Sequence, residues 1–307
     1  ATEIRSEGHI NYNVARAIAL GVPPVEAIRM GTLNAARHFR LEDEIGSIAP
    51  GRMADILLVP DLAEMRPSRV YFAGRLVAEQ GALLEPCQAA DYPEWILHTV
   101  RLKHPITAAS FRKETGAAGD HVRVNVIDLI DRQIINRRLV TELPCANGEI
   151  LPDIGRDIAK LAVVERYGKT GGVGIGFVRG FGLKRGALAY STSHDHHNIV
   201  TVGADDVDMA LAVNTVAEMQ GGLAVVCDGA VLAKMCLPIG GLMSTKPAEA
   251  VMAEQDAMNE AARQLGCAGS APFMTLSFIS LPTVPELGLT DLGLIDVLEH
   301  KLIPLEC

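Results

Sequence analysis

The sequence lacks the features of nucleic-acid-binding, membrane-spanning and secreted proteins. Lys plus Arg number 28 and Asp plus Glu number 37, so the formal net charge is −9. No run rich in Lys and Arg occurs, and this charge balance excludes nucleic acid and an anionic membrane as the main partner. No apolar stretch reaches the roughly 20 residues that a transmembrane helix needs. The first residues, 1–7, are polar, which is not typical of a secretory signal.

Clustered cysteines are also missing. No Cys-x-x-Cys pair occurs, which excludes a zinc ribbon and a thioredoxin-type redox motif. Scattered cysteines in an acidic chain are typical of a reducing cytosol, where most are small core residues. The prediction is a cytoplasmic protein. The six cysteines are Cys87, Cys145, Cys227, Cys236, Cys267 and Cys307.

Two common catalytic motifs are absent. No Gly-x-Ser-x-Gly segment offers a serine nucleophile. The glycine-rich segment 171–182 lacks the Lys-Ser/Thr pair of a P-loop and the spacing of a dinucleotide-binding turn. We therefore expect its glycines to let a strand approach another backbone or a ligand closely.

What the sequence does contain is enough apolar material for two or more domains. Hydrophobic residues make up 49% of the 307 residues and charged residues 21%, which is typical of a globular protein of this length. The high apolar share for the charged content favours a homo-oligomer, such as a homodimer. No initiator Met is present and the first apolar pattern begins near Ile10, so we expect the later part of a longer protein.

Within the first 90 residues, the spacing of apolar residues changes from one typical of helices to one typical of strands. Helices are predicted over 11–20, 25–30 and 32–38, with Pro23 and Pro24 at the start of the second. A buried strand over 54–59 and a hairpin joining 70–72 to 76–78 follow. The change of period predicts a domain boundary near residues 38–45.

Residues 120–307 alternate strand and helix patterns, after a connection over 91–119 that contains Trp95, the only tryptophan. Helices are predicted over 207–219, capped by Asp205 or Asp206, over 247–265 and over 291–302. The pair Asp228-Gly229 predicts a tight hairpin turn. Strands are predicted over 122–126, 134–143, 160–164, 173–178, 187–190, 199–202, 223–227, 231–235 and 273–279.

The densest group of chemically active side chains is the loop segment 193–198, Ser-His-Asp-His-His-Asn. Imidazole nitrogens bind Zn, Fe and Mn, and Asp adds a hard oxygen ligand. If the segment is extended, His194 and His196 point to the same side and His197 to the other. A solvated polar loop, or a His/Asp hydrogen-bonded network without metal, is the alternative. His9 lies in an exposed context and is ambiguous alone.

Residues 23–84 resemble the end of an amidohydrolase-superfamily enzyme. There the last barrel helix is followed by Thr-x-Asn-Ala-Ala, then Gly-x-Ile-x-x-Gly-x-x-Ala-Asp and an apolar strand, then a glycine of a final hairpin. The matching positions, in order, are Thr32, Asn34, Gly46, Gly51, Ala54, Asp55 and Gly74.

Residues 168–245 resemble the C-terminal domain of bacterial-type adenine deaminases. The resemblance rests on the segment from the glycine-rich strand through the histidine cluster, on Gly-Gly-Leu-Ala-Val-Val-Cys-Asp-Gly (221–229) and on Leu-Pro-Ile-Gly-Gly-Leu-Met-Ser (237–244). Both resemblances occur in the expected order.

Together the resemblances imply an α/β fold in four parts. Residues 1–38 are expected to be the end of a TIM-type amidohydrolase barrel, with its last helix. Residues 39–90 are expected to be part of a small β-sandwich, 91–119 a linker, and 120–307 a mixed α/β C-terminal domain.

The resemblance also implies chemistry. The family hydrolyses adenine to hypoxanthine and ammonia in purine salvage, with a divalent Mn, Fe or Zn that lowers the pKa of bound water toward ~7. Its barrel ligands are expected upstream of Ala1, so no catalytic residue is identifiable in this chain, which alone should be inactive. The expected partners are adenine or a related purine and the upstream barrel half.

The candidate site residues follow from the loop and the resemblance. His194, His196 and His197 are the candidate metal ligands, and His9, Asp195 and Asn198 are the candidates for positions near the substrate. Two other functions stay open. One is a non-catalytic assembly or regulatory metal-binding module, and the other is an amidohydrolase acting on another cyclic amidine or amide.

Overall fold

The computed structural model describes residues 2–85, 90–131, 133–267, 269 and 271–307. Cys87 therefore lies outside the described residues. The chain separates into two compact units, Ala1–Asp91 and Tyr92–Cys307. No described helix combines the length and apolar character that crossing a membrane requires.

The first unit begins with four short helices. They are α1 (Thr2–Glu7), α2 (Ile10–Ala19), α3 (Pro24–Gly31) and α4 (Leu33–His38). The three helices predicted from periodicity are confirmed as α2, α3 and α4. Pro24 occupies the first turn of α3, where its missing N–H costs nothing. Val14 and Ala27 pack with Met65 in a small core.

A four-stranded antiparallel sheet completes the first unit, in the order β1 (Ile56–Leu58), β2 (Arg69–Phe72), β3 (Arg75–Glu79), β4 (Ala82–Leu83). The predicted hairpin is confirmed as β2 and β3. Asp55 secures its turn, since its Oδ1 accepts a hydrogen bond of 2.8 Å from the Ala73 N–H. The prediction of a buried strand over 54–59 is wrong. A strand does form, but β1 is a three-residue edge strand without buried residues, and Leu57 is 52% exposed.

The second unit is built on a nine-stranded sheet. Its order is β13-β12-β10-β11-β8-β9-β5-β6-β7, antiparallel except between β5 and β9. The strands are β5 (His121–Leu129), β6 (Asn136–Ala146), β7 (Glu149–Ile150), β8 (Ile158–Val164), β9 (Val173–Arg179), β10 (Ala187–Tyr190), β11 (Ile199–Gly203), β12 (Gly222–Cys227) and β13 (Ala230–Cys236). All strands predicted between 122 and 235 are confirmed.

Three helices and a small sheet cover the large sheet. They are α5 (Asp206–Glu218), α6 (Ala248–Gln264), α7 (Pro272–Ile279) and the antiparallel strands β14 (Leu287–Thr290), β15 (Gly293–Asp296) and β16 (Lys301–Ile303). Asp205 caps α5, because its Oδ1 accepts the N–H groups of Val207 and Asp208 at 3.1 and 2.9 Å. The mixed α/β class predicted for this unit is confirmed.

The large sheet is buried on both faces. One core cluster joins the sheet to α6, α7 and the small sheet. The other joins it to α5 and to residues 100–111, including the fully buried Phe111. Alternate residues of β8 serve the two clusters, Leu161 and Val163 the first and Ala162 and Val164 the second. Much of the segment predicted as a linker, 91–119, thus packs into a core.

Two element predictions near the C-terminus are wrong. Residues 273–279 form helix α7 and not a strand. Pro272 opens it, and the segment is so uniformly apolar that periodicity could not separate a strand from a buried helix. Residues 291–302 form β15 and β16 and not a closing helix, because Gly293 at φ 129° turns the chain back to pair with β14.

Asp208 lies in the first turn of α5, as expected, and has a second role. Its position near the start of α5 predicts a carboxylate that complements the helix dipole. In the structure its two oxygens accept the N–H groups of Asp228 and Gly229, at 2.9 and 2.8 Å. Both turn residues have positive φ, 54° and 73°, as the Asp-Gly pair predicts. The helix therefore holds the β12–β13 turn in place.

Candidate functional site

Three loops with distinctive sequences meet at one end of the large sheet. They are residues 165–172, 191–198 and 237–244, and we call this region the loop end. The register shows why they meet: Val164 ends β8 opposite the start of β11, and Gly222 starts β12 opposite Cys236 at the end of β13. The loops that carry the family resemblance are thus brought together by strand pairing.

The segment Ser193–Asn198, here called the histidine loop, is closed by its own hydrogen bonds. The Asn198 N–H donates to His196 Nδ1 at 3.0 Å, and Ser193 Oγ donates to the Asn198 carbonyl at 2.7 Å. Residues 194–196 form a turn. The alternation that would align His194 with His196 in an extended segment therefore does not apply.

Neighbouring elements hold the histidine loop from outside. Asn198 is buried, and its Nδ2 donates to Asp291 Oδ1 at 3.0 Å while its Oδ1 accepts the Arg166 N–H at 3.3 Å. The Tyr167 hydroxyl donates to the His196 carbonyl at 2.8 Å. The His194 ring lies 4.8 Å from the Phe278 ring of α7. Of the loop residues predicted near the substrate, Asp195 is exposed and Asn198 is fully engaged inside the protein.

Burial acts on two imidazoles of the histidine loop, those of His196 and His197. Burial lowers the pKa of His196 below its ordinary value, and burial together with the Arg166 guanidinium lowers the pKa of His197. Both rings are therefore neutral at pH 7. A neutral imidazole carries one N–H donor and one acceptor nitrogen.

The divalent metal implied by the resemblance does not fit these residues. His196 Nδ1 is occupied by the Asn198 N–H. Across the described ranges, no group of three or more His, Cys, Asp and Glu side chains is placed to hold a metal ion. The hydrogen bonds inside the histidine loop support the alternative of a polar network, while His196 Nε2 and His197 Nδ1 have no hydrogen-bond partner among the described residues.

Glu165 organises the glycine-rich loop next to the histidine loop. Its Oε1 accepts the Tyr167 N–H at 2.6 Å, and its Oε2 accepts those of Lys169, Thr170 and Gly171 at 3.1, 3.2 and 3.1 Å. Burial acts to raise the pKa of Glu165, but the backbone N–H groups outweigh it and the pKa is lowered. Sequence reasoning missed this residue, because its partners are backbone groups.

Arg166 is the second residue that sequence reasoning missed. It is 2% exposed, and its Nη2 donates to the Gly240 carbonyl at 3.0 Å. Its Nε and Nη1 have no hydrogen-bond partner within the described part of the chain. A Cβ on Gly241 would lie 1.8 Å from Arg166 Nη1, so the glycine leaves the space that Nη1 occupies. Burial lowers the pKa of this guanidinium.

Gly174 of β9 has the role predicted for the glycine-rich segment. A Cβ on Gly174 would lie 1.8 Å from the Thr290 carbonyl oxygen. The strand therefore approaches the β14–β15 turn more closely than a side chain would permit. Asp291 lies in the same turn and accepts the hydrogen bond from Asn198 of the histidine loop.

His9 lies in the first unit, just before α2, and its N–H donates to Asn11 Oδ1 at 3.0 Å. The structure therefore gives His9 a local role at the start of a helix. No relation between His9 and the histidine loop follows from it.

Two protein families match the chain in the expected order. Residues 6–77 match the amidohydrolase family, and residues 133–301 match the family described as adenine deaminase C-terminal domain. The second match contains the three loops of the loop end and covers more than half of the chain.

Curated relatives cover almost the whole chain. It is 54% identical to the "Adenine deaminase" of Desulforamulus reducens over 98% of this chain and 51% of that protein. It is 45% identical to the "Adenine deaminase" of Moorella thermoacetica, over 98% of this chain and 50% of that protein. The "Adenine deaminase 1" of Carboxydothermus hydrogenoformans is 45% identical, over 99% of this chain and 50% of its own length.

The chain spans about half the length of the curated relatives it matches. The resemblance of residues 168–245 is confirmed by the family match, which begins before that segment and extends beyond it. On these grounds the chain belongs to the adenine deaminase C-terminal domain family.

Proposed function

We propose that this chain is the C-terminal portion of a metal-dependent adenine deaminase. The observation that carries the proposal is the order of the two family matches, amidohydrolase and then adenine deaminase C-terminal domain. Relatives named adenine deaminase support it, because they align with almost the entire chain. The reaction is adenine plus water giving hypoxanthine plus ammonia.

The reaction needs a nucleophile and a proton carrier. Water adds to C6 of the purine through its oxygen, and the proton carrier passes one water proton to the amino nitrogen. The bond from C6 to that nitrogen then breaks, the nitrogen leaves as ammonia, and the other water proton stays on hypoxanthine. In amidohydrolases a bound divalent metal makes hydroxide available at neutral pH. The described residues of this chain do not fit that metal, so we assign no step of the reaction to them.

The contribution of this chain is the loop end. We propose that Asp195, the exposed carboxylate of the histidine loop, lies near the purine in the whole enzyme. Asn198 positions the histidine loop and does not contact the purine, because both ends of its amide are already bonded, to Asp291 and to the Arg166 backbone. His9 stays a proposal for the same purine-proximal role from the first unit.

The upstream barrel half of the same protein is the proposed partner, supported by the half-length coverage of the relatives. We further propose a cytoplasmic homodimer acting in purine salvage. The cysteines support the compartment, since those within the described residues are all free thiols.

The test joins the chain to an upstream half and measures ammonia release from adenine. The donor is the N-terminal half of the Desulforamulus reducens relative, whose second half is 54% identical to this chain. We expect the joined protein to deaminate adenine after loading with Mn, Fe or Zn, and this chain alone to be inactive. The complete relative is the positive control.

Two results would contradict the proposal. One is deamination by this chain alone. The other is a joined protein that folds and binds metal but hydrolyses another cyclic amide or amidine, or none. The first result would mean that the catalytic groups lie in this chain. The second would favour a different amidohydrolase or a regulatory module.

A further inference from the structure

A cavity of about 290 Å³ opens beside the loop end, on the face of the sheet that α6 covers. It lies between strand β10, the β12–β13 hairpin, residues 237–244 and α6. Its lining is Tyr190, Leu223, Met235, Leu237, Leu242, Met243, Ser244, Val251 and Gln255. Nothing in the proposed deaminase reaction uses these residues.

The size of the cavity fits two fused rings. An apolar protein cavity of about 150 Å³ is sufficient to bind benzene, and this cavity has about twice that volume. Natural ligand pockets begin at roughly 300 Å³ and are mostly apolar with a few polar groups. The volume is therefore sufficient for a bicyclic ligand.

The lining selects an uncharged aromatic ligand. Among the residues that the structure describes, no Lys, Arg, Asp, Glu or His lines the cavity, so none of them would compensate the desolvation of an ion. Met235 and Met243 supply thioethers, which make favourable contacts with aromatic rings. Met243 is 58% exposed, so the mouth of the cavity opens to solvent.

Three polar side chains are among the residues that line the cavity: Tyr190, Ser244 and Gln255. The Tyr190 ring is held edge-on against Phe273, with centroids 5.9 Å apart. Burial raises the pKa of Tyr190, against the opposing effect of a side-chain hydrogen bond with Thr192, so the phenol stays protonated. The wall thus combines apolar side chains with a few polar ones that can pair with a ring nitrogen or carbonyl.

From this geometry we infer that the cavity between residues 237–244 and α6 is a binding site for a neutral, planar, bicyclic heteroaromatic molecule. The ligand places its rings between the methionine and leucine side chains. A ring nitrogen or carbonyl oxygen accepts from the Tyr190 hydroxyl, and the Gln255 amide meets the ring edge.

The test is calorimetric titration of the chain with benzimidazole, indole and benzoate at pH 7.5. Benzimidazole is bicyclic and has an acceptor nitrogen, indole is bicyclic without one, and benzoate is an anion. We expect one benzimidazole per chain, weaker indole binding and no benzoate binding.

Two variants separate the cavity from the rest of the surface. Val251→Phe fills the cavity from α6 and should weaken benzimidazole binding at least tenfold. The matched control Val231→Phe adds the same volume at a 40% exposed position on β13 outside the cavity, and should bind as the unaltered chain does. Circular dichroism verifies that both variants fold.

Tyr190→Phe provides a readout that does not depend on filling the cavity. Loss of one hydrogen bond should weaken benzimidazole about fivefold and leave indole binding unchanged. The inference is overturned if the unaltered chain binds neither bicyclic probe saturably, or if a folded Val251→Phe binds as before. It is also overturned if Tyr190→Phe changes both probes equally or neither. None of these outcomes depends on deaminase activity.

Discussion

Replacing Glu165 by Gln tests whether one carboxylate organises the loop end. The carboxylate accepts backbone N–H groups from residues 167, 169, 170 and 171. Gln has the same shape but offers one acceptor oxygen in place of two. Its NH₂ group would face N–H donors that have no other partner in the loop.

The expected cost follows from the kind of hydrogen bond lost. Bonds to a charged acceptor contribute about 1.5–3 kcal/mol each, and neighbouring bonds are not additive. With one oxygen retained, we expect Glu165→Gln to lower the free energy of unfolding of the second unit by about 3 kcal/mol at pH 7. That is a large fraction of the stability of an ordinary domain.

The loss of unfolding free energy in Glu165→Gln should depend on pH, and the direction of the Glu165 pKa shift determines in which pH range the loss is largest. The pKa of Glu165 is lowered from its ordinary value of 4.5 in the folded chain. Its stabilisation is therefore present above pH 4.5 and is lost as the pH falls through the lower folded pKa. The difference between the unaltered chain and Glu165→Gln should shrink in that acidic range, because Gln does not titrate.

Urea unfolding followed by circular dichroism measures the free energy, and hydrogen exchange measures protection of the amides at 167–171. Glu299→Gln is the matched control, since Glu299 is exposed and pairs with Lys301 at the surface; it should change stability by less than about 0.5 kcal/mol. Equal effects of the two variants, or a pH-independent loss at Glu165, would refute the reasoning.

Two further predictions concern a buried cation and the metal. Lys160→Met should cost about 3–5 kcal/mol of unfolding free energy, because Lys160 is 1% exposed and its Nζ pairs with Asp206 at 2.7 Å. The exposed control Lys301→Met should cost at most about 1 kcal/mol, and similar losses in urea unfolding would contradict the assignment. Joint replacement of His194 and His196 by Ala in the joined protein should leave metal content unchanged by elemental analysis; a drop of one metal per chain would restore the histidine loop as a metal site.

Much of the fold was predictable from local sequence. Alternating apolar residues marked strands such as β5, and Asp228-Gly229 marked a turn whose two residues both have positive φ in the structure. The glycine of β9 at position 174 was correctly expected to permit close approach. These features succeed because each depends on residues adjacent in the chain.

The candidate site was only partly predictable. The histidine loop was visible as a cluster of imidazoles, but its turn conformation and its bond to Asp291 depend on the β14–β15 turn, 93 residues away. Glu165 and Arg166 were not visible at all. Their roles depend on backbone groups and on Gly240, which carry no side-chain signal in the sequence.

By itself, then, the amino-acid order determined the strand and turn pattern, the family resemblance and the absence of a basic or membrane-spanning segment. Tertiary structure alone decided that α7 is a helix, that residues 100–111 belong to a core, and that three loops meet at one sheet end. The physical reason is that strand pairing and burial join groups far apart in the chain, whereas propensity and turn chemistry act between neighbours.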